Sequence, residues 1–180
     1  MRIPLILILA FACTGCVSQY KVVVDFSPDL QDHFNEYPTI EVDIAAVTDD
    51  EANEVKQMGV EEYFSPGSGI RQRLQVQTCF FFREERYSYV LPARAPIWRN
   101  WKRKKPKTVL IIASLPHDPS MSAQADPRLL TVEISRSFLL ARSIYVWVES
   151  QRIVRVTGKA HSKDSETATT TRQWIETRRE

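Results

Sequence analysis

Alternating apolar and polar residues form the main pattern of this chain. Within residues 20–26 and 40–46 apolar side chains recur at every second position, and charged residues such as Asp25, Glu41 and Asp43 stand between them. Successive side chains of a β-strand point to opposite faces. Each stretch therefore predicts a strand with one buried face and one polar face.

Later apolar stretches predict the remaining strands. Residues 87–91 are expected to pair back as a hairpin with residues 74–82, one face of which holds Leu74, Val76, Thr78, Phe80 and Phe82. Residues 109–113 are apolar at every position, which predicts a central strand covered on both faces. Three more strand candidates lie at residues 129–134, 144–148 and 153–156.

Only one helix has a clear predicted start and end. Thr48 and Glu51 have the spacing of a capping box, in which each side chain satisfies a free backbone N–H at the first turn. The helix is expected to run to about Met58 and to end at Gly59, and residues 60–69 are expected to form an ordered loop. Seven or eight strands with one short helical insertion predict a mostly β fold, an antiparallel β-sandwich.

The first residues of the chain indicate export. A short positive start is followed by an apolar run at residues 5–12 and then by Cys13-Thr14-Gly15-Cys16. The apolar run is shorter than the roughly 20 residues that a spanning helix needs, so it is interpreted as a removable leader. The segment before Cys16 resembles the bacterial lipobox, although Cys13 stands where a lipobox more often has Leu.

The lipobox resemblance implies that Cys16 becomes the mature N-terminus and carries diacylglycerol and palmitate-type acyl chains. Several chains are needed for stable anchoring, because a single one holds only marginally. The predicted organisation is a lipoprotein signal peptide at 1–15, a β-sandwich domain at 16–159 and a polar, disordered tail at 160–180. Val17 and Ser18 resemble the sorting signal of outer-membrane lipoproteins. The alternative is a plain secretory signal that is cut elsewhere.

The charge and the cysteine content exclude some kinds of function. The net charge is +2, from 24 basic and 22 acidic residues, and export removes the chain from nucleic acid, so no nucleic-acid role is expected. Of the three cysteines, Cys13 leaves with the leader and Cys16 is acylated. Cys79 is expected to be a buried apolar side chain, since its neighbours are Val76 and phenylalanines.

Residues for catalysis or metal binding are sparse. His33, His117 and His161 lack the spacing of metal ligands, so no metal site and no cofactor are predicted. Ser114, His117 and Asp118 lie in one stretch, but a catalytic triad needs its base held by a separate buried carboxylate. The chain is therefore predicted not to be an enzyme.

The segment around two tryptophans is the most distinctive. Trp98 and Trp101 would share one face of a helix, and the cations Lys102, Arg103, Lys104 and Lys105 follow directly. The segment is a candidate partner-binding surface for an acidic protein, for lipid headgroups or for an anionic envelope polymer. The alternative is that the rings close the end of the sandwich while the cations lie in a solvated turn.

Taken together, these elements resemble the small outer-membrane lipoprotein of type VI secretion systems, the TssJ (SciN) family. The resemblance lies in Cys16, in the strands at residues 22–26 and 40–47, in a helical insertion ahead of residues 63–67, and in the apolar strand at 109–113. It implies a transthyretin-type sandwich on the periplasmic face of the outer membrane. It also implies docking onto the periplasmic part of an inner-membrane partner, TssM.

Two kinds of function follow as expectations. The first is a membrane-anchored structural component that joins an envelope-spanning complex by protein–protein docking. The second is an envelope lipoprotein that binds a glycan or small ligand on exposed aromatic rings, with Trp98, Trp101 and Tyr63 as stacking surfaces.

Overall fold

The computed structural model describes residues 20–27, 29–34, 39–81, 88–116, 126–134 and 142–156. The strands are β1 (Tyr20–Phe26), β2 (Ile40–Val47), β3 (Gln77–Phe81), β4 (Ser88–Leu91), β5 (Thr108–Ala113), β6 (Leu129–Glu133), β7 (Arg142–Val148) and β8 (Ile153–Val156). The helices are α1 (Asp29–Phe34), α2 (Asp49–Met58), α3 (Val60–Phe64), α4 (Gly69–Leu74) and α5 (Ile97–Lys102).

The strands form two four-stranded sheets that pack face to face. Sheet 1 has the order β4-β1-β7-β8, and sheet 2 has the order β3-β2-β5-β6. This arrangement confirms the predicted β-sandwich, and its eight strands agree with the predicted seven or eight. One pair departs from the antiparallel prediction, because β1 and β7 run parallel, with Tyr20 opposite Arg142 and Phe26 opposite Val148.

The alternating pattern in β1 correctly predicts the core between the sheets. Tyr20, Val22, Val24 and Phe26 are all buried, whereas Lys21 is exposed. The side chains of β5 point alternately to its two faces, and both faces are buried, as the continuous apolar run predicts. Cys79 is buried as well and donates a weak hydrogen bond to the Val42 carbonyl at 3.4 Å.

A layer of helices covers the outer face of sheet 2, so the prediction of a single helix is wrong. The predicted capping box of Thr48 and Glu51 is formed, and Gly59 ends α2 as expected. The expected loop at residues 60–69 instead contains α3 and the start of α4. Their buried side chains pack on those of β2 and β5, which is why β2 is buried on both faces except at the half-buried Glu41 and why Asp43 is only 1% exposed.

Strands β3 and β4 are present as predicted, but the start and buried face of β3 and the pairing of β4 differ from the prediction. In β3 the buried side chains are Cys79 and Phe81, and Phe80 is 47% exposed, so the predicted face is shifted by one residue. Residues 74–76 are not part of this strand, because Leu74 ends α4. The predicted hairpin is absent from the described residues: β4 pairs with β1 in the other sheet, with Leu91 opposite Val22.

Several sequence predictions lie outside the described residues. They include the leader and Cys16, the histidines His117 and His161, Asp118, and the tail at 160–180. Among the residues that are described, no helix is long and apolar enough to cross a membrane.

Candidate functional site

Helix α5 closes one end of the sandwich. It lies in the connection from β4, which ends at Leu91 in sheet 1, to β5, which begins at Thr108 in sheet 2. Strand pairing places Leu91 near the start of β1 and Thr108 opposite the last residue of β2. The other end, called the far end here, is where β1 and β3 finish, with the Phe26 and Phe81 ring centroids 4.2 Å apart.

The two tryptophans of α5 form a plug at this end. Their rings meet edge to face, with centroids 5.0 Å apart at 89°, a favoured aromatic geometry. The Trp98 Nε1 donates to the Pro92 carbonyl at 3.1 Å, and the Trp101 Nε1 donates to the Gln75 carbonyl at 3.0 Å. Pro92 directly follows β4 of sheet 1, and Gln75 lies two residues before β3 of sheet 2. These hydrogen bonds therefore tie α5 to both sheets.

The rings predicted as binding surfaces are therefore not on the surface. Trp98 is 5% exposed, and Trp101 and Tyr63 are 0% exposed. Burial gives the tryptophans the packing role that was the alternative prediction, and it removes all three rings as stacking surfaces for a glycan.

The cations near α5 divide into two groups. Lys104 donates to the Glu51 Oε1 and to the Arg73 carbonyl, both at 2.9 Å, and Lys107 pairs with Asp49 at 2.5 Å. These two lysines hold the segment against α2. Within the described part of the chain, the others form no ion pair; they are Arg94, Arg99, Lys102, Arg103 and Lys105.

Because these five cations lie at the end of the sandwich that α5 closes, we call it the basic end. Arg94, Arg99, Arg103 and Lys105 are exposed, while Lys102 is half-buried. Pairing of β1 with β4 and β7 puts Tyr20, the first residue of β1, at the same end. The chain therefore enters the domain beside the unpaired cations, a juxtaposition that the sequence pattern did not reveal.

A second polar cluster lies between sheet 2 and the helices. Asp43 accepts hydrogen bonds from the Tyr63 hydroxyl at 2.9 Å, from the Arg71 Nε at 2.6 Å and from the Thr78 hydroxyl at 2.6 Å. Arg71 also pairs with Glu41. Burial raises the pKa of Tyr63 far above its usual range, and the Asp43 carboxylate beside it has the same effect. The polar side chains of this cluster bond to one another, so the cluster holds α3 and α4 against sheet 2.

A third cluster ties α3 to the start of β6. The Arg128 side chain is 4% exposed and contacts Asp126 at 2.7 Å and Glu61 at 2.6 Å. It also donates to the Leu115 carbonyl at 3.3 Å. The hydrogen bond from Arg128 lowers the pKa of Glu61, and burial opposes this effect.

Candidate catalytic and metal-binding residues are not brought together in the described residues. No group of three or more His, Cys, Asp or Glu side chains there is arranged to hold a metal ion. His33 is exposed on α1, edge to face with Phe34 at 4.7 Å. Ser114 is exposed after β5, where its backbone N–H donates to the Glu41 carbonyl at 2.8 Å.

Comparison with known proteins connects this fold to one secretion machinery. The structure of Serratia marcescens Lip, a membrane-bound component of the type VI secretion system, superposes with a TM-score of 0.51 at 8% identity, over 78% of this chain and 98% of that one. The C-terminal domain of the type VI secretion protein TssM from EAEC gives a TM-score of 0.50 at 8% identity, over 76% and 99% of the two chains.

The chain shares its fold with type VI secretion components. The lipoprotein TssJ1 from Pseudomonas aeruginosa is also similar, with a TM-score of 0.48 at 8% identity, over 76% of this chain and 93% of that one. No protein-family model matches the sequence. No curated protein matches it either. At 8% identity the likeness concerns the fold, and it includes both Lip and a domain of TssM.

Proposed function

We propose that this chain is a lipoprotein, anchored through acyl chains on Cys16, that serves as a structural component of a type VI secretion envelope complex. The observation that carries the proposal is the fold that this chain shares with Lip, in a chain whose lipobox-like Cys16 stands four residues before β1. The role follows from docking to a protein partner and not from catalysis.

The N-terminal residues support the lipoprotein role over that of a TssM-type domain. The fold alone does not separate the two, because Lip and the C-terminal domain of TssM both have it. An apolar run followed by Thr14-Gly15-Cys16 is the pattern expected of a lipidated precursor. Val17 and Ser18 favour the outer membrane, with the domain on its periplasmic face.

The polar clusters support a structural role. The Asp43 carboxylate and the Arg128 guanidinium each have several partners within the protein. Buried charges that are satisfied in this way hold elements together and are not themselves poised for proton transfer. Function on such a fold is expected from its loops and ends.

Anchoring is tested by metabolic labelling with an alkyne analogue of palmitate and by membrane fractionation. The wild-type chain is expected to incorporate the label and to fractionate with the outer membrane, and Cys16→Ser is expected to lose the label. Cys13→Leu, which introduces the more usual lipobox residue, and Cys79→Ala, at a buried position of β3, are matched controls that should keep the label. Label retained in Cys16→Ser, or absent from the wild type, would contradict the proposal.

Docking is tested by isolating the tagged protein from detergent-solubilised membranes of its own host. We expect an inner-membrane secretion component to co-purify. If the anchor holds the start of β1 at the membrane, the far end points into the periplasm, so Thr39→Arg with Ser114→Arg, both exposed there, should lower recovery of the partner. Recovery of no envelope protein with the lipidated wild type would reject the assembly role.

A further inference from the structure

We propose that the basic end binds the anionic phospholipid headgroups of the same bilayer that holds the acyl anchor. This inference rests on the proposed acylation of Cys16. It assigns to the unpaired cations near α5 a partner that neither the fold nor the comparisons assign.

The first support is the short tether between the anchor and the domain. Tyr20 is the first residue of β1, and only four peptide steps separate it from Cys16. A chain extends by at most about 3.6 Å per residue, so the Cα of Tyr20 lies no more than roughly 15 Å from the Cα of Cys16. Tyr20 lies at the basic end, as the pairing of Val22 with Leu91 shows. The tether therefore keeps the basic end close to the bilayer surface whenever the acyl chains are inserted.

The second support is the charge at this end. Lys21 on β1 is exposed in addition to Arg94, Arg99, Arg103 and Lys105. Of the acidic residues at this end, Asp49 and Glu51 pair with Lys107 and Lys104. Asp50 and Glu133 are the exposed carboxylates that oppose the cations among the described residues. A cationic surface within reach of anionic headgroups is attracted to them, because the Debye length is about 8 Å at physiological salt.

The third support is the way the cations are presented. The Trp98 and Trp101 rings point inward and fix α5 to both sheets, so the polar side of α5 is held outward. In the described residues the large apolar side chains with high exposure are Phe80, next to the last residue of β3, and Val90 on β4, one residue before Leu91, and neither lies on α5. The surface therefore suits contact at headgroup level and not insertion into the hydrocarbon. The tether also raises the effective concentration of headgroups, which favours the bilayer over an acidic protein as occupant.

The test uses the full lipidated chain reconstituted into vesicles of phosphatidylcholine alone or of phosphatidylcholine with phosphatidylglycerol. An environment-sensitive fluorophore is placed on Asn100→Cys, an exposed position of α5, and in a separate sample on Ser114→Cys at the far end. Cys79 is buried and does not compete for the label. We expect a blue shift at position 100 only with phosphatidylglycerol, and its loss at about 1 M salt, where the Debye length falls to roughly 3 Å. Position 114 should not respond.

Charge reversal supplies the matched variants. The triple variant Arg99→Glu, Arg103→Glu and Lys105→Glu should lose most of the shift at position 100. The control triple variant Lys56→Glu, Arg152→Glu and Arg155→Glu changes the net charge equally at exposed positions outside the basic end and should retain it. Equal loss in both variants would show a net-charge effect and overturn the proposal.

The outcomes separate this inference from the anchoring proposal. Failure of the wild type to float with phosphatidylcholine vesicles would reject the acyl anchor itself. Flotation without any response of position 100 to phosphatidylglycerol would leave the anchor in place and reject headgroup binding. If reversal at the basic end abolished co-purification of the envelope partner and left the vesicle signal unchanged, the surface would bind protein, and the lipid assignment would be wrong.

Discussion

Asp43 shows how one charged side chain holds two layers of the protein together. It is 1% exposed, and its donors come from α3, α4 and β3. A buried carboxylate with so many donors is stabilised only while the donors remain.

Removing the guanidinium of Arg71 should therefore destabilise the fold. We expect Arg71→Met to lower the free energy of unfolding by about 2–3 kcal/mol, below the range for fully buried pairs because the Arg71 side chain is 26% exposed. Urea denaturation of the two proteins measures the loss. Arg73→Met on the same helix removes an exposed pair with Glu54 and should change stability little. Equal losses in the two variants would contradict the role given to Asp43.

Alternation predicts which face of β1 and β2 is the core face, but it does not predict how exposed the other face is: Val23, on the other face of β1, is only 4% exposed. The buried side of β1 is predicted correctly because Lys21 and Asp25 mark its other side. In β2 the same pattern hides the burial of Asp43, since Tyr63 of α3 and Arg71 of α4, 20 and 28 residues further along the chain, cover it. The run Phe80 to Phe82 does not alternate, and a shift of one residue exchanges the two faces. The sequence thus leaves the orientation of Phe80 and Phe81 undetermined.

At the scale of elements, Gly59 joins two helices in a conformation that other residues rarely adopt. Its φ is 86° and its ψ 161°. Its N–H donates to the Val55 carbonyl and its own carbonyl accepts from the Tyr63 N–H, both at 3.1 Å. One residue therefore ends α2 and begins α3.

Gly59→Ala should lower the free energy of unfolding by about 1–3 kcal/mol because of backbone strain alone. Gly69→Ala, in the first turn of α4, is the matched control: an added Cβ meets nothing within 4 Å at either site, and only Gly59 has a positive φ. The control should be neutral or stabilise by up to about 1 kcal/mol through helix propensity. Thermal unfolding followed by circular dichroism distinguishes them, and a destabilised control with an unaffected Gly59→Ala would refute the assignment of strain.

The contact of α3 with Arg128 should depend on pH. Because Arg128 lowers the pKa of Glu61 in the folded protein, the unfolded state binds the proton more readily. The stabilising contribution of the Glu61–Arg128 contact is complete above the ordinary pKa of 4.5. It is lost as the pH falls through the lower pKa that Glu61 has in the folded protein.

Glu61→Gln should therefore be less stable than the wild type at pH 7, by less than about 1 kcal/mol since Glu61 is 66% exposed. The difference should shrink as the pH falls below 4.5. Urea unfolding at a series of pH values measures it, and Glu62→Gln, an exposed neighbour, should show no such trend. A difference that grows towards acid would refute the linkage.

Elements differ in how far their own residues specify them. Helix α2 is predictable because its capping box lies within four consecutive residues, Thr48 to Glu51. Helices α3 and α4 lack a side-chain cap and are held by Tyr63 and Arg71, whose partner Asp43 is distant in sequence. The basic segment is visible in the sequence, but its position beside Tyr20 depends on the pairing of β1 with β4. Pairing across such distances leaves no local signal.

At the scale of the whole molecule, the described residues form three layers: sheet 1, sheet 2 and the helices α2 to α4. Sheet 2 is the middle layer, which explains why β5 is apolar throughout. The sandwich was predictable from the number of alternating stretches, and Lip has the same fold at 8% identity. The parallel pairing of β1 and β7 was not predictable, since the same apolar pattern suits a neighbour of either direction.

Neighbouring residues of β5 offer a test of the layers, because Ile111 faces sheet 1 and Leu110 faces the helices. Both are at most 1% exposed, so truncation of either to Ala should cost about 2–5 kcal/mol. Hydrogen exchange followed by mass spectrometry should differ between them. Leu110→Ala should speed exchange in α2 to α4 more than in β1 and β7, since local opening follows the loss of local packing. Ile111→Ala should speed exchange in both sheets. The same exchange pattern in both variants would mean that the helices and the sandwich open as one unit, and the separation into two cores would be wrong.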